Sequence, residues 1–246
     1  MSILLIPVAS LSKTKSRLRD IFTRDQLKYL TIAMLKDLFS KILEIKLQIN
    51  SLVYCNSSEI LDLAEEYGFI PIKEKINTPQ KCFDDILQDL NNIAIQDYHA
   101  KNTIIIFSDL ILINPNNLRE IVKLTEQNQL VVCPTLISAG ISVLGRNPPG
   151  IIPTYFSHPT TPSLVALLNE ANIRGLKIDI YDSFRAGFDI DIKHDVMLAY
   201  EYLKAFKMVK SETYKFLKQN VNLVITKKSS LDNRMLEIKR VEKPNF

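Results

Sequence analysis

Short apolar runs recur along this chain, and a helical pattern separates most of them from the next. That alternation restricts the architecture more than any other feature. "ILLIPV" at 3–8, "SLVYC" at 51–55, "FIPI" at 69–72 and "TIIIFS" at 103–108 read as strands, followed by "LVVCP" at 130–134, "ISVLG" at 141–145 and "LKIDIY" at 176–181. The "TIIIF" run is apolar on both faces, as the centre of a parallel sheet requires. Between the strands, Leu27, Leu30, Met34, Leu38 and Ile42 form one helical stripe, behind a Thr23–Gln26 capping pattern. A second helix from about Ser58 stops near Gly68, a residue suited to a left-handed cap. Thr78-Pro79, Asn114-Pro115 and Thr161-Pro162 read as further helix openings, the last helix ending near Gly175. Two more helices span about 193–220, and the tail from 221 reads as two strands around a polar turn. Strand and helix in alternation imply right-handed crossovers and a mostly parallel sheet covered on both faces. With 246 residues, 46% of them hydrophobic, one domain spanning 1–246 is the expectation, with 221–246 as a β-rich tail.

Ligands of such sheets bind outside the carboxyl ends of the strands, so the residues just after each strand carry the functional reading. After the first strand come Lys13, Lys15, Ser16 and Arg17. The loop has no glycine, so it is not a P-loop, and side chains rather than backbone would have to hold a phosphate there. The competing reading is a solvated basic loop. After "TIIIFS" stands Asp109, a carboxylate that is costly to bury unless paired or bound to metal, or else a simple turn or cap residue. Asp189 and Asp191 alternate in "GFDIDIKHDV", so on a strand they would face one side; with Asp109 they could hold Mg²⁺. Asp191 reads equally as an N-cap of the following helix. His99, His158 and His194 form no catalytic pattern.

A net charge of +4 fits anionic small molecules and is too weak to argue for nucleic acid. No apolar run is long enough to span a bilayer, and the N-terminal order, apolar before basic, is not that of a signal peptide. Cys55, Cys82 and Cys133 are odd in number and widely spaced, which reads as buried thiols in a reducing cytoplasm.

"IPVASLSKTKSRL", "IIIFSDLILI" and "YDSFRAGFDIDIKHDV", in this order, resemble the 2-phospho-L-lactate guanylyltransferases of the CofC family, in particular its archaeal members. The resemblance implies a three-layer α/β Rossmann-like nucleotidyltransferase fold of the GT-A type with a mostly parallel mixed sheet. It implies transfer of guanylate from GTP to 2-phospho-L-lactate with Mg²⁺ and release of pyrophosphate, in biosynthesis of coenzyme F-420. By the same resemblance Lys15 and Arg17 hold phosphate, Asp109 binds metal, and Asp189 or Asp191 supplies the second ligand. Lys13, Ser16, Gly140 and Ser163 are expected to bind substrate. A homodimer is left open.

Four stretches depart from the family pattern. "SAGI" at 138–141 stands where a Gly-Gly-Thr-Asn run is usual, Cys82-Phe83 where Leu-Asn is usual, Ser163-Leu164 lacks a following His, and Ile111 replaces a Pro. Two alternatives therefore stand beside the first reading. One is a related nucleotidyltransferase acting on another phospho-acid, such as phosphoenolpyruvate or 3-phosphoglycerate, or on another nucleotide. The other is a homologue that binds nucleotide without turnover.

Overall fold

The computed structural model describes residues 1–11, 14–75, 81–221, 223–229 and 232–240. Seven strands form one sheet: β1 (Ser2–Pro7), β2 (Asn50–Cys55), β3 (Ile70–Lys73), β4 (Asn102–Ile106), β5 (Leu130–Pro134), β6 (Ile141–Arg146) and β7 (Ile178–Ile180). Their order is β3-β2-β1-β4-β6-β5-β7. Every pairing is parallel except those of β6, which runs antiparallel to both β4 and β5. The sheet is thus mixed and mostly parallel, as the sequence implies.

The helices are α1 (Arg24–Glu44), α2 (Ser58–Glu66), α3 (Phe83–Gln96), α4 (Pro115–Gln127), α5 (Ser163–Ile173), α6 (Phe184–Gly187), α7 (Lys193–Ala205) and α8 (Glu212–Asn220). Strand residues divide between two cores by the period of two. Leu4, Ile6, Ile104 and Ile106 meet α1, α2 and α4, whereas Ile3, Leu5 and Ile105 meet α3 and α5. This is why the central runs have no polar alternation. A third apolar cluster lies off the sheet, where Leu27, Leu30 and Met34 of α1 meet α7 and α8. The α1 stripe read from the sequence is therefore shared, Leu38 and Ile42 facing the sheet and the earlier members facing the C-terminal helices. β8 (Leu223–Ser229) and β9 (Asp232–Arg240) pair antiparallel as a separate two-stranded sheet.

The local signals act where expected. Thr23 Oγ1 accepts from the Gln26 amide and Gln26 Oε1 from the Thr23 amide, closing the capping box. Asn114 and Asn117 make the same reciprocal pair at the start of α4. Gly68 and Gly175 adopt positive φ after α2 and α5. The opening read at Thr78-Pro79 lies outside the described residues, and α3 begins at Phe83. Cys55 and Cys133 are buried, and burial pushes both thiols up; Cys82 is exposed, contrary to a reading of all three as buried. No described helix is long and apolar enough to cross a membrane.

Candidate active site

β1 and β4 lie side by side and parallel, so the segments after their carboxyl ends meet. After β1 the chain passes through Lys15, whose φ of 45° and ψ of 43° are left-handed. This conformation is unfavourable for a residue with a Cβ, by about 1–2 kcal/mol, and interactions of the side chain hold it. The Lys15 ammonium donates to Asp109 Oδ2 at 2.5 Å, to the Ile190 carbonyl at 2.6 Å and to Asp191 Oδ1 at 3.0 Å. An ammonium has three donors, and all three are engaged. One side chain thereby ties together the segments after β1, after β4 and before α7.

The Asp191 carboxylate is available for this because it does not cap α7. Asp195, one turn later, accepts from the Asp191 and Ile192 amides at 2.8 Å each. The segment 188–191 pairs with no strand among the described residues, so the alternation read in "FDIDI" is not that of a sheet strand. It is placed by the Lys15–Ile190 bond and by α6, where Leu136 donates to the Gly187 carbonyl at 2.9 Å. A Cβ at Gly187 would come within 2.7 Å of the Pro134 carbonyl oxygen, so only glycine lets the backbone approach β5 so closely.

Burial and like charge act together on the carboxyl groups gathered here. Burial, then the nearby charges of Asp109 and Asp191, push Asp189 up to about 7. Burial alone would lower Lys15, but Asp109 and Asp191 outweigh it and the ammonium is held above its ordinary value. Arg17 is 73% exposed and makes one loose contact, 3.6 Å from Nη1 to Asp191 Oδ2. Its guanidinium is therefore free to take an anion.

Lys15, Ser16, Arg17, Asp109 and Asp191 line one cleft of about 340 Å³. Asp189 is not on its wall, but its carboxyl feels the charges of Asp109 and Asp191. Gly140 and Ser163 are not on its wall. Gly140 closes a turn with Thr135, and the neighbouring Leu164 amide donates to the Ala139 carbonyl at 3.2 Å, so these two stretches meet each other rather than the basic loop. Lys13 lies outside the described residues. Among the described residues no three His, Cys, Asp or Glu side chains gather into a ready-made metal cluster.

The opposite wall was not legible in the sequence. Phe83 and Phe107 line the cleft, and with Phe156 they form a trio of rings 5.4–6.1 Å apart. Asp84 fixes it: its carboxylate accepts from Thr154 Oγ1, from the Phe156 amide at 2.8 Å and from the Ser157 amide at 2.7 Å. Ser157 Oγ accepts in return from the Phe83 and Asp84 amides. The available signal was position, because Phe107 directly follows β4.

A cleft at the carboxyl ends of parallel strands, with one exposed cation, a tethered cation–carboxylate cluster and an aromatic wall, suits a phosphorylated ligand with a planar or apolar part. A 2-phospho-L-lactate guanylyltransferase of Methanocaldococcus vulcanius is 26% identical over 197 residues, 79% of this chain and 82% of the relative. A phosphoenolpyruvate guanylyltransferase of Thermobaculum terrenum is 24% identical over 197 residues, 78% of this chain and 80% of its own. Among solved structures, a protein described as a nucleotide-diphospho-sugar transferase from Desulfovibrio desulfuricans G20 superposes with a TM-score of 0.73 at 13% identity, covering 89% of this chain and 94% of that one. The model of the family described as "Guanylyl transferase CofC like" matches residues 1–239, and the chain belongs to that family of nucleotidyltransferases.

Proposed function

We propose that the protein joins GTP to 2-phospho-L-lactate, giving lactyl-2-diphospho-5'-guanosine and pyrophosphate, as a step in coenzyme F-420 biosynthesis. The observation that carries this reading is the Lys15–Asp109–Asp191 cluster beside the uncommitted Arg17, in a chain of this family.

The chemistry asks for charge compensation rather than proton transfer. The nucleophile is a phosphate monoester whose second pKa is about 6, so it is already ionised at pH 7. An oxygen of that phosphate attacks the α-phosphorus of GTP, and the bond to the β-phosphate breaks, releasing pyrophosphate. No general base is required, in keeping with a cleft that no histidine lines. Arg17 is suited to a two-point grip on the triphosphate, with Ser16 beside it. Lys15 holds the carboxylates in place, and a phosphate gains its ammonium only by exchange with one of the three present acceptors. The aromatic wall of Phe83 and Phe107 offers an apolar face to the base or the lactyl methyl.

Asp109 and Asp191 are the residues that would hold Mg²⁺, with Asp189 close enough for its carboxyl to feel both charges. The fit rests on the donor set: Asp109 and Asp191 both line the cleft and bring carboxylate oxygens to within 2.5 and 3.0 Å of the same ammonium, the hard oxygen ligands that Mg²⁺ takes. Mg²⁺ commonly takes one or two carboxylates plus substrate phosphates, so a pre-formed three-residue cluster is not required. When bound, it would neutralise charge on the triphosphate. The partners in this reading are small anions rather than nucleic acid or a membrane surface, and the place of action is the cytoplasm.

The test is pyrophosphate release from GTP and Mg²⁺ with 2-phospho-L-lactate, phosphoenolpyruvate or 3-phosphoglycerate in turn. Release with 2-phospho-L-lactate in clear excess over the others is expected. Preference for phosphoenolpyruvate, the acid named for the Thermobaculum relative, would reassign the substrate. Absence of release with all three would overturn the reading.

A further inference from the structure

A second cavity, of about 640 Å³, lies between α1, the start of α4, α6 and the α7–α8 connection, and shares no lining residue with the cleft. Lys36, Lys41, Arg185 and Lys210 face it. None of these four cations has a carboxylate partner within 4.0 Å among the described residues. Lys41 is the telling member. It is 91% buried, since 9% of its surface remains exposed, and its ammonium makes one hydrogen bond, 2.7 Å to the Ile111 carbonyl. A buried ammonium with only a neutral partner is costly.

The acids that face the same cavity do not resolve this. Asp37 spends both carboxylate oxygens on the Glu212 and Thr213 amides, capping α8. Glu212 pairs with Lys215 at 2.6 Å, and Glu44 is exposed to solvent. Arg185 completes the arrangement. Its guanidinium stacks 4.0 Å above the Phe206 ring, and Nη1 reaches the Leu112 carbonyl at 3.5 Å and Met208 Sδ at 3.7 Å. Stacking fixes the plane while Nε and Nη2 make no hydrogen bond among the described residues, the posture of an arginine set to grip an oxyanion.

We infer that this cavity is a second anion site, taking a phosphoryl group between Lys41 and Arg185, with room beside it for a small organic moiety. Burial holds Lys41 down at about 8, and a bound dianion would reverse that. Both grips now hold carbonyls of the loop that follows Asp109, so the occupant draws on the donors that pin that loop.

The test uses the intact protein with ¹³C-methyl methionine and inorganic phosphate as the probe, read by NMR. Met208 lines this cavity and not the cleft, so its methyl signal reports the second site whether or not the enzyme turns over. A saturable shift of the Met208 signal is expected in the wild type, with apparent affinity weakened by about tenfold or more in Arg185→Gln and in Lys41→Leu, since each removes one charged donor. A Met208 signal that stays still up to tens of millimolar phosphate overturns the inference. So does an equal response in wild type and both variants.

Discussion

Removing the Lys15 ammonium should leave Asp109 the most exposed to loss, and the structure sets the size of the effect. The pair is 2.5 Å apart and mostly shielded, with side chains 11% and 17% exposed, so salt screens it little. A hydrogen bond to a charged group contributes about 1.5–3 kcal/mol, and breaking a buried pair from one side costs about 3–5 kcal/mol. Asp191 is 47% exposed and Asp109 keeps some access to water, so Lys15→Met should sit near the lower end, at about 3 kcal/mol. In an Asp109→Asn background the same change should cost less by about 2 kcal/mol, because the charge it strands is gone. Urea unfolding of the four proteins, without nucleotide or divalent cation, gives this coupling directly. The Arg17–Asp191 pair is the internal control. At 3.6 Å with Arg17 73% exposed, its coupling should be below about 0.5 kcal/mol. Additivity of Lys15→Met and Asp109→Asn within about 0.5 kcal/mol would refute the reasoning, since sites that do not interact add to that accuracy.

Gly187→Ala should cost about 1–3 kcal/mol in urea unfolding, because its Cβ would press on the Pro134 carbonyl oxygen rather than on a side chain that can turn away. Lys41 lies below its ordinary 10.5, at about 8, so the unfolded chain binds more protons across that window and stability should rise with pH between these values, by as much as about 3 kcal/mol. Urea midpoints of wild type and Lys41→Met across the window isolate it; parallel curves would refute the assignment. Arg17→Lys should lower kcat/KM for pyrophosphate release by about tenfold, the worth of one charge-assisted hydrogen bond, and unchanged kinetics would return Arg17 to a solvated loop.

The sheet was legible because its apolar runs are long, bounded and β-branched, and because "TIIIF" admits no solvent-facing side. The charged half of the cleft was legible too, since Asp109 directly follows one strand run and Lys15 and Arg17 lie in the loop after another. Three things were not. "FDIDI" has no pairing strand among the described residues, and nothing local distinguishes a sheet strand from an irregular segment held by Lys15 and Gly187. The engagement of all three Lys15 donors depends on Ile190 and Asp191, some 175 residues away in sequence. The aromatic wall draws Phe83, Phe107 and Phe156 from three separate elements, so no sequence window contains it. Gly140 and Ser163 were singled out by resemblance alone, and they sit together beside Ala139, off the cleft wall.

The reversed strand β6 bears on how the chain assembles. β4 offers Ile104–Ile106 as a bare apolar edge until β6 docks on it, and β6 in turn arrives paired with β5, its near neighbour in sequence. The β5–β6 hairpin can therefore form early from local contacts, whereas joining it to β4 must close a longer loop. A molecule caught between those events has two half-sheets, each with an open and mostly apolar side, Arg146 being the one charged residue along the seam, that can recruit a second chain in place of its own. Aggregation during refolding should then depend on protein concentration. A lysine at Ile105 or Leu144, whose Cα atoms face each other across the seam, would weaken the native seam and the wrong partner alike.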